Sequence, residues 1–278
     1  MHFPRFWQTA KTGGVITWGW SDVNVEGALA KARERQARVL AWLEGKSRFD
    51  SLDRYGYPDR PMREEVLREF PDDSGELRAV LSRNAQGCLV LNTRRLLFVD
   101  VDTPEAGVGS FFQSLFGRKS VDPQAALEQK LRGLAQQWIE ANPAWNWRLY
   151  RTKAGFRLMA AHAPVSPDDP MAPRAFEQFE ADRRYRALCK NQQCYRARVT
   201  AKPWRCDVPK APERWPWRDA EAEQRFRVWE KSYLAAASGF AVCKLVGEFG
   251  EAPIAPEFSD IVRYHDEATQ IASELALA

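Results

Sequence analysis

One stretch constrains this chain more than any other: Leu96-Leu97-Phe98-Val99-Asp100-Val101-Asp102-Thr103-Pro104. Four apolar residues in succession suit a strand covered on both faces. The two aspartates stand at i and i+2, and side chains two apart on a strand leave the same face. Like charges held that close repel, and a fold accommodates them best where a cation lies between them. Mg²⁺ or Mn²⁺ is the natural occupant, because hard cations take carboxylate oxygens and keep positions open for phosphates. The plain alternative is a pair of structural aspartates capping a strand end before Pro104.

The rest of the pattern gives this stretch a setting. Val25, Ala28, Leu29, Ala32, Val39, Leu40 and Leu43 recur at helical spacing, so a helix is expected over 25–43, stopped at Gly45. A loop at 54–58 follows, and Pro61 opens a short helix reaching Phe70. Strand-like runs at 78–82, 88–92 and 96–102, joined by short turn-rich connections, predict a β-meander with 96–102 as an inner strand beside 88–92. A helix over 123–140 leads to a hairpin of 147–152 and 156–161. A helix over 174–191 and a strand over 194–200 come next, then proline-rich coil over 203–216. Helices at 220–237 and 259–276 flank a strand at 241–246. Meander and hairpin interrupted by helices predict an α+β protein with a central, mainly antiparallel sheet and flanking helices. Three segments are expected: a helical one over 1–75 packed on the core, a core of catalytic type over 76–218, and a helical one over 219–278.

Three further groups of residues carry chemistry. The turn Thr152-Lys153-Ala154-Gly155-Phe156-Arg157 supplies a hydroxyl, two cations and a glycine that lets a ligand approach the backbone, a cradle for phosphates. Cys189, Cys194, Cys206 and His162 offer three thiolates and an imidazole for a tetrahedral Zn²⁺. Between Arg183 and Arg214 stand ten basic residues against Asp207 and Glu213. Such a local field suits a polyanion, although the whole chain carries a formal charge of only +4. Arg196, Arg198, Lys202 and Arg205 would track phosphates while Trp204 stacks on a base. Elsewhere Trp147-Arg148 and Trp217-Arg218 repeat the indole–guanidinium pairing. The N-terminus lacks the apolar core of a signal peptide, and no apolar run approaches the about 20 residues of a membrane span. A cytoplasmic protein with no membrane partner is expected, its five cysteines thiols or metal ligands instead of disulfides.

A strand-borne Asp-x-Asp followed by a hairpin with a hydroxyl, a glycine and a phosphate-binding residue resembles the archaeo-eukaryotic primase superfamily, over about residues 78–209. The resemblance implies that Leu96 to Asp102 is the first motif, that the turn from Thr152 to Arg157 contacts the incoming nucleotide, and that Asp207 is a lone third acid. It implies a metal-dependent nucleotidyltransferase acting on nucleoside triphosphates or nucleic acid, with the cysteines as a zinc-binding insert. Arg157 departs from the histidine of that family, and arginine cannot act as a neutral imidazole donor. Asp207 departs too, lying in a proline-rich stretch. Asp100-Val101-Asp102-Thr103 also resembles the opening motif of haloacid-dehalogenase-like phosphatases, which implies a parallel sheet and a hydroxyl residue where Pro104 stands. The non-enzymatic alternative is a basic nucleic-acid-binding protein with structural aspartates.

Overall fold

The computed structural model describes residues 1–46, 61–104 and 122–278. The loop expected at 54–58 lies outside them. The chain divides into two compact units, Met1–Glu65 and Val66–Ala278.

The first unit is a hairpin with a helix across it. Strands β1 (Phe6–Thr12) and β2 (Val15–Ser21) pair antiparallel in register Thr12↔Val15. The two-residue turn is Gly13-Gly14, both at positive φ, the geometry that suits the right-handed twist of a hairpin. Helix α1 (Val25–Leu43) has the bounds its periodicity predicts, and the Asn24 side chain caps it by accepting from Gly27 N. A Cβ at Gly19 would stand 2.2 Å from Ala28 O and Ala32 N. Glycine on the strand and alanines on the helix are therefore what let the two backbones meet. The expectation of a purely helical N-terminal segment missed this hairpin, whose Gly-Gly between strand-like runs was its signal.

The second unit is α+β, and every strand pairing registered within it is antiparallel. It holds two four-stranded sheets. One has the order β3 (Glu65–Pro71), β4 (Leu77–Arg83), β5 (Leu89–Thr93), β9 (Tyr195–Arg198). The other has the order β10 (Cys243–Phe249), β7 (Trp147–Thr152), β8 (Gly155–Ala160), β6 (Leu97–Asp102). The expected meander is thus corrected. β4 and β5 form its hairpin, but β6 leaves them and pairs with β8 at the end of the second sheet. The crossing is made at Arg94 and Arg95: Arg94 N donates to Arg78 O beside the first sheet, and Arg95 O accepts from Val165 N.

The helices are α2 (Pro123–Ala141), α3 (Met171–Gln178), α4 (Arg183–Gln192), α5 (Ala220–Ala237) and α6 (Ser259–Thr269). The single helix expected over 174–191 is two, because Glu180 takes a left-handed φ and Asp182 caps a new helix by accepting from Tyr185 N. The helix expected after Pro61 is strand β3: Phe70 is buried in the core, and pairing with β4 overrides the local helical preference. The last segment is not a helical appendage, since β10 belongs to the second sheet and α6 buries Ile261, Val262, His265 and Thr269. One hydrophobic core gathers Leu97, Phe98, Val99, Trp147, Leu158, Phe179 and Tyr195 with residues of α2 and α6. Trp147, half of one expected indole–guanidinium pair, is fully buried there. No helix among the described residues is long and apolar enough to cross a membrane.

Candidate functional site

Strand β6 carries Asp100 and Asp102 to its exposed end, while Val99 before them and Val101 between them stay buried. The alternation demanded by the strand therefore sets both carboxylates on one face. Its partner β8 places Arg157 opposite Asp100 and Gly155 opposite Asp102. A Cβ at Gly155 would lie 2.1 Å from Val101 O, so this glycine serves the close approach of two strands. The turn tip Lys153-Ala154 reaches the end of β6 as well, where Thr103 N donates to Ala154 O. Lys153 is exposed there, and Thr152 closes β7 with its carbonyl accepting from Gln124 Nε2.

Among the described residues, no strand pairs with the other edge of β6. Helix α4 closes it instead: Asp182 N donates to Asp100 O at 3.1 Å, and Tyr185 Oη donates to Phe98 O at 3.1 Å. This brings a third carboxylate, Asp182, toward the pair. Burial, then the carboxylates of Asp182 and Asp100, hold the Asp102 carboxyl above its ordinary range, with Lys202 and Arg198 acting in opposition. On the cationic side, burial and then Arg157 depress the Arg198 guanidinium, and burial, Arg198 and Arg205 depress the Lys202 ammonium. Arg198 Nε and Thr103 Oγ1 are buried without a hydrogen-bond partner. Charges of both signs therefore meet around Asp102 at the end of β6.

Arg157 is not the free phosphate ligand that the sequence implied. It is 3% exposed and its Nε donates to Asp100 Oδ1 at 3.1 Å, while Asp100 remains 35% exposed. Its Nη1 donates to Arg198 O at 3.1 Å and to His265 Nε2 at 3.3 Å. Burial opposes the guanidinium charge, Asp100 supports it, and the outcome lies above the ordinary value.

Asp207 is displaced from its expected role. It sits exposed at positive φ in the turn after Pro203–Arg205, with its charge beside Cys206. The acid that reaches Asp102 is Asp182. The zinc set is also corrected. Cys189 and Cys194 flank the end of α4, where Cys194 N donates to Cys189 O. Cys206 Sγ donates to Pro203 O in a separate cluster with Tyr233, and His162 packs on Trp145 with ring centroids 4.2 Å apart. Among the described residues, no three His, Cys, Asp or Glu side chains group closely enough to hold a metal by themselves. All five thiols are buried, which explains their inward placement without a metal. Of the basic stretch, Arg198 and Lys202 act on Asp102 and Arg205 acts on Lys202, whereas Arg196 Nη1 donates to Gln192 Oε1 on α4. Trp204 is 50% exposed with Lys202 Nζ 5.3 Å from its ring.

The chain matches no family model, no curated protein and no solved structure. The site therefore stands on its own geometry. Sequence reasoning missed Asp182 and His265. Asp182 had a readable signal, an aspartate directly before a helical run. His265 had a fainter one: it recurs at i+4 from Ile261 on the buried face of α6.

Proposed function

We propose that this protein carries out divalent-metal-dependent phosphoryl or nucleotidyl transfer on nucleotides or nucleic acid, in the manner of a primase-polymerase. The observation that carries the reading is the placement of Asp100 and Asp102 on one face at the end of β6, with Asp182, Arg198 and Lys202 close enough to act on Asp102. Asp102 is crowded by Asp182 and Asp100, and Lys202 by Arg198 and Arg205. A cation relieves the first group and an anion the second, and a metal-bound phosphate is both.

Asp100 and Asp102 would hold Mg²⁺ or Mn²⁺, with the charge of Asp182 adding to the field around Asp102. That donor set fits, because Mg²⁺ commonly takes one or two protein carboxylates and completes its shell with water and phosphate oxygens. The metal, when bound, supplies charge neutralisation at the phosphoryl oxygens. Arg198, with its unpartnered Nε–H, and Lys202 are set to take phosphate oxygens, and Lys153 is exposed at the turn after β7. Arg157 is spent on Asp100 and orients it. Trp204, exposed beside Lys202, offers a face to a base.

Binding of Mn²⁺, followed by electron paramagnetic resonance with and without a nucleoside triphosphate, tests the reading. Wild-type protein should bind Mn²⁺ and incorporate labelled nucleotide. Asp102→Asn should lose both, and Arg198→Ala should keep Mn²⁺ but lose triphosphate affinity. A wild-type protein that binds no Mn²⁺ in either condition refutes the proposal.

One observation favours the non-catalytic alternative: Arg157 already neutralises Asp100. On that reading nucleic acid binds in a strongly salt-dependent way and no metal-dependent turnover occurs. Replacing Arg198, Lys202 and Arg205 by alanine would then flatten the salt slope by about 0.7–0.9 per lost phosphate contact. The phosphatase alternative requires a parallel sheet around Asp100, and β6 pairs antiparallel.

A further inference from the structure

Asp100 is the surface end of a polar chain that runs through the interior of the second unit. Arg157 donates from Nε to Asp100 Oδ1 and from Nη1 to His265 Nε2. A guanidinium has no acceptor, so His265 Nε2 must be the bare nitrogen. The ring proton then lies on Nδ1, which donates to Asp266 Oδ1 at 2.9 Å. Asp266 is itself fixed: Tyr150 Oη donates to Oδ1 at 2.9 Å and Arg148 Nη2 to Oδ2 at 2.7 Å. Elements β6, β8, α6 and β7 each contribute a member.

The ring of His265 is fully buried, with Phe98 and Tyr150 at centroid distances of 5.5 and 5.0 Å. Asp266 fixes its tautomer from one side, and the bare nitrogen fixes the guanidinium from the other. Because the guanidinium is planar, holding Nη1 also sets the direction of Nε. Nε meets Oδ1 of Asp100, while the Asp100 side chain as a whole stays 35% exposed.

We propose that His265 is a positioning residue for Asp100, acting through Arg157 to keep the second carboxylate oxygen available to a divalent cation. The proposal rests on Asp100 as a metal-holding carboxylate, as inferred above. It differs from a plain packing role, in which any side chain of similar volume would serve.

Two variants separate these roles. His265→Leu fills the space and removes the acceptor. His265→Gln restores an acceptor near the Nε2 position. Two measurements follow them, with thermal melting to establish folding: hydrogen exchange of the Arg157 Nε–H by nitrogen-15 NMR, and Mn²⁺ affinity by electron paramagnetic resonance. His265→Leu should speed exchange at Nε and weaken Mn²⁺ by about tenfold, the lower end of what loss of an outer-shell partner costs. His265→Gln should return both toward wild type. Unchanged exchange and affinity in a folded His265→Leu overturn the proposal. So does a His265→Gln protein that melts like wild type yet restores neither. If wild-type protein binds no Mn²⁺, the metal role falls with the functional reading, and the exchange series alone decides whether His265 orients the guanidinium.

Discussion

Replacing Arg157 by methionine keeps much of the volume and removes the charge. Three interactions vanish together: the ion pair to Asp100 and the hydrogen bonds to Arg198 O and His265 Nε2. Breaking a buried pair by deleting one partner costs about 3–5 kcal/mol, because the other charge is left uncompensated. Asp100 is 35% exposed, so water recovers part of that loss and the ion pair counts toward the low end. The Arg198 carbonyl and His265 nitrogen cannot be rehydrated as easily, and each unsatisfied buried group costs about 1–3 kcal/mol. The low end of each contribution gives a total of roughly 5 kcal/mol, which at about 2–4 °C per kcal/mol lowers Tm by about 10–20 °C. Asp100→Asn in the same protein removes the stranded charge, so the double variant should recover about 1–3 kcal/mol relative to the sum of the single ones. Urea denaturation at neutral pH, followed by circular dichroism, measures all four proteins. Arg157→Met within about 1 kcal/mol of wild type, or strict additivity of the two substitutions, would refute the argument that this pair is a coupled buried unit.

His265 and His162 should make the fold acid-sensitive. Burial lowers both to about 4 in the folded state from 6.5. The unfolded chain takes up these protons first as pH falls, so their contribution is complete above about 6.5 and is lost progressively toward pH 4. The urea midpoint should fall across that window, and His265→Gln should remove about one proton from the slope. Gly155→Ala should destabilise by more than about 2 kcal/mol, since its Cβ would meet the backbone of β6, which cannot move aside as a side chain would; a melting curve like that of wild type would contradict the close strand approach. All five cysteines are buried, so a thiol-specific colorimetric reagent should react slowly with native protein and fully after denaturation; fast native labelling would show the thiols to be accessible.

The elements legible in the sequence were those whose signal is local. Helix α1 and helix α5 fall where periodicity and caps place them, and the strands β4 to β8 shift by a residue at most. Asp100 and Asp102 share a face because strand geometry alone demands it. What the sequence did not show was which strand lies beside which. The short link from Thr93 to Leu97 reads as a hairpin turn, yet it carries the chain between sheets, because a strand apolar on both faces is better covered between β8 and α4 than at a meander edge. The partners of Asp100 were equally hidden. Arg157 sits 57 residues away and His265 another 108 along the chain, and only the pairing of β6 with β8 and the packing of α6 bring them together.

The closure of β6 by helix α4 has a consequence for the life of the chain before and after folding. Leu96 to Val99 is a short, uncharged, β-prone run, the kind of segment that stacks with copies of itself when its edge is open. In the folded protein Asp182 N and Tyr185 Oη occupy that edge, a plug made by a helix start where another strand would otherwise fit. Asp100 and Asp102, at the end of the same run, have the character of gatekeepers, since stacked copies would bring their charges into register. The pair that makes this site a candidate for metal chemistry thus adds charge to the end of a run that, unfolded, would otherwise favour self-stacking.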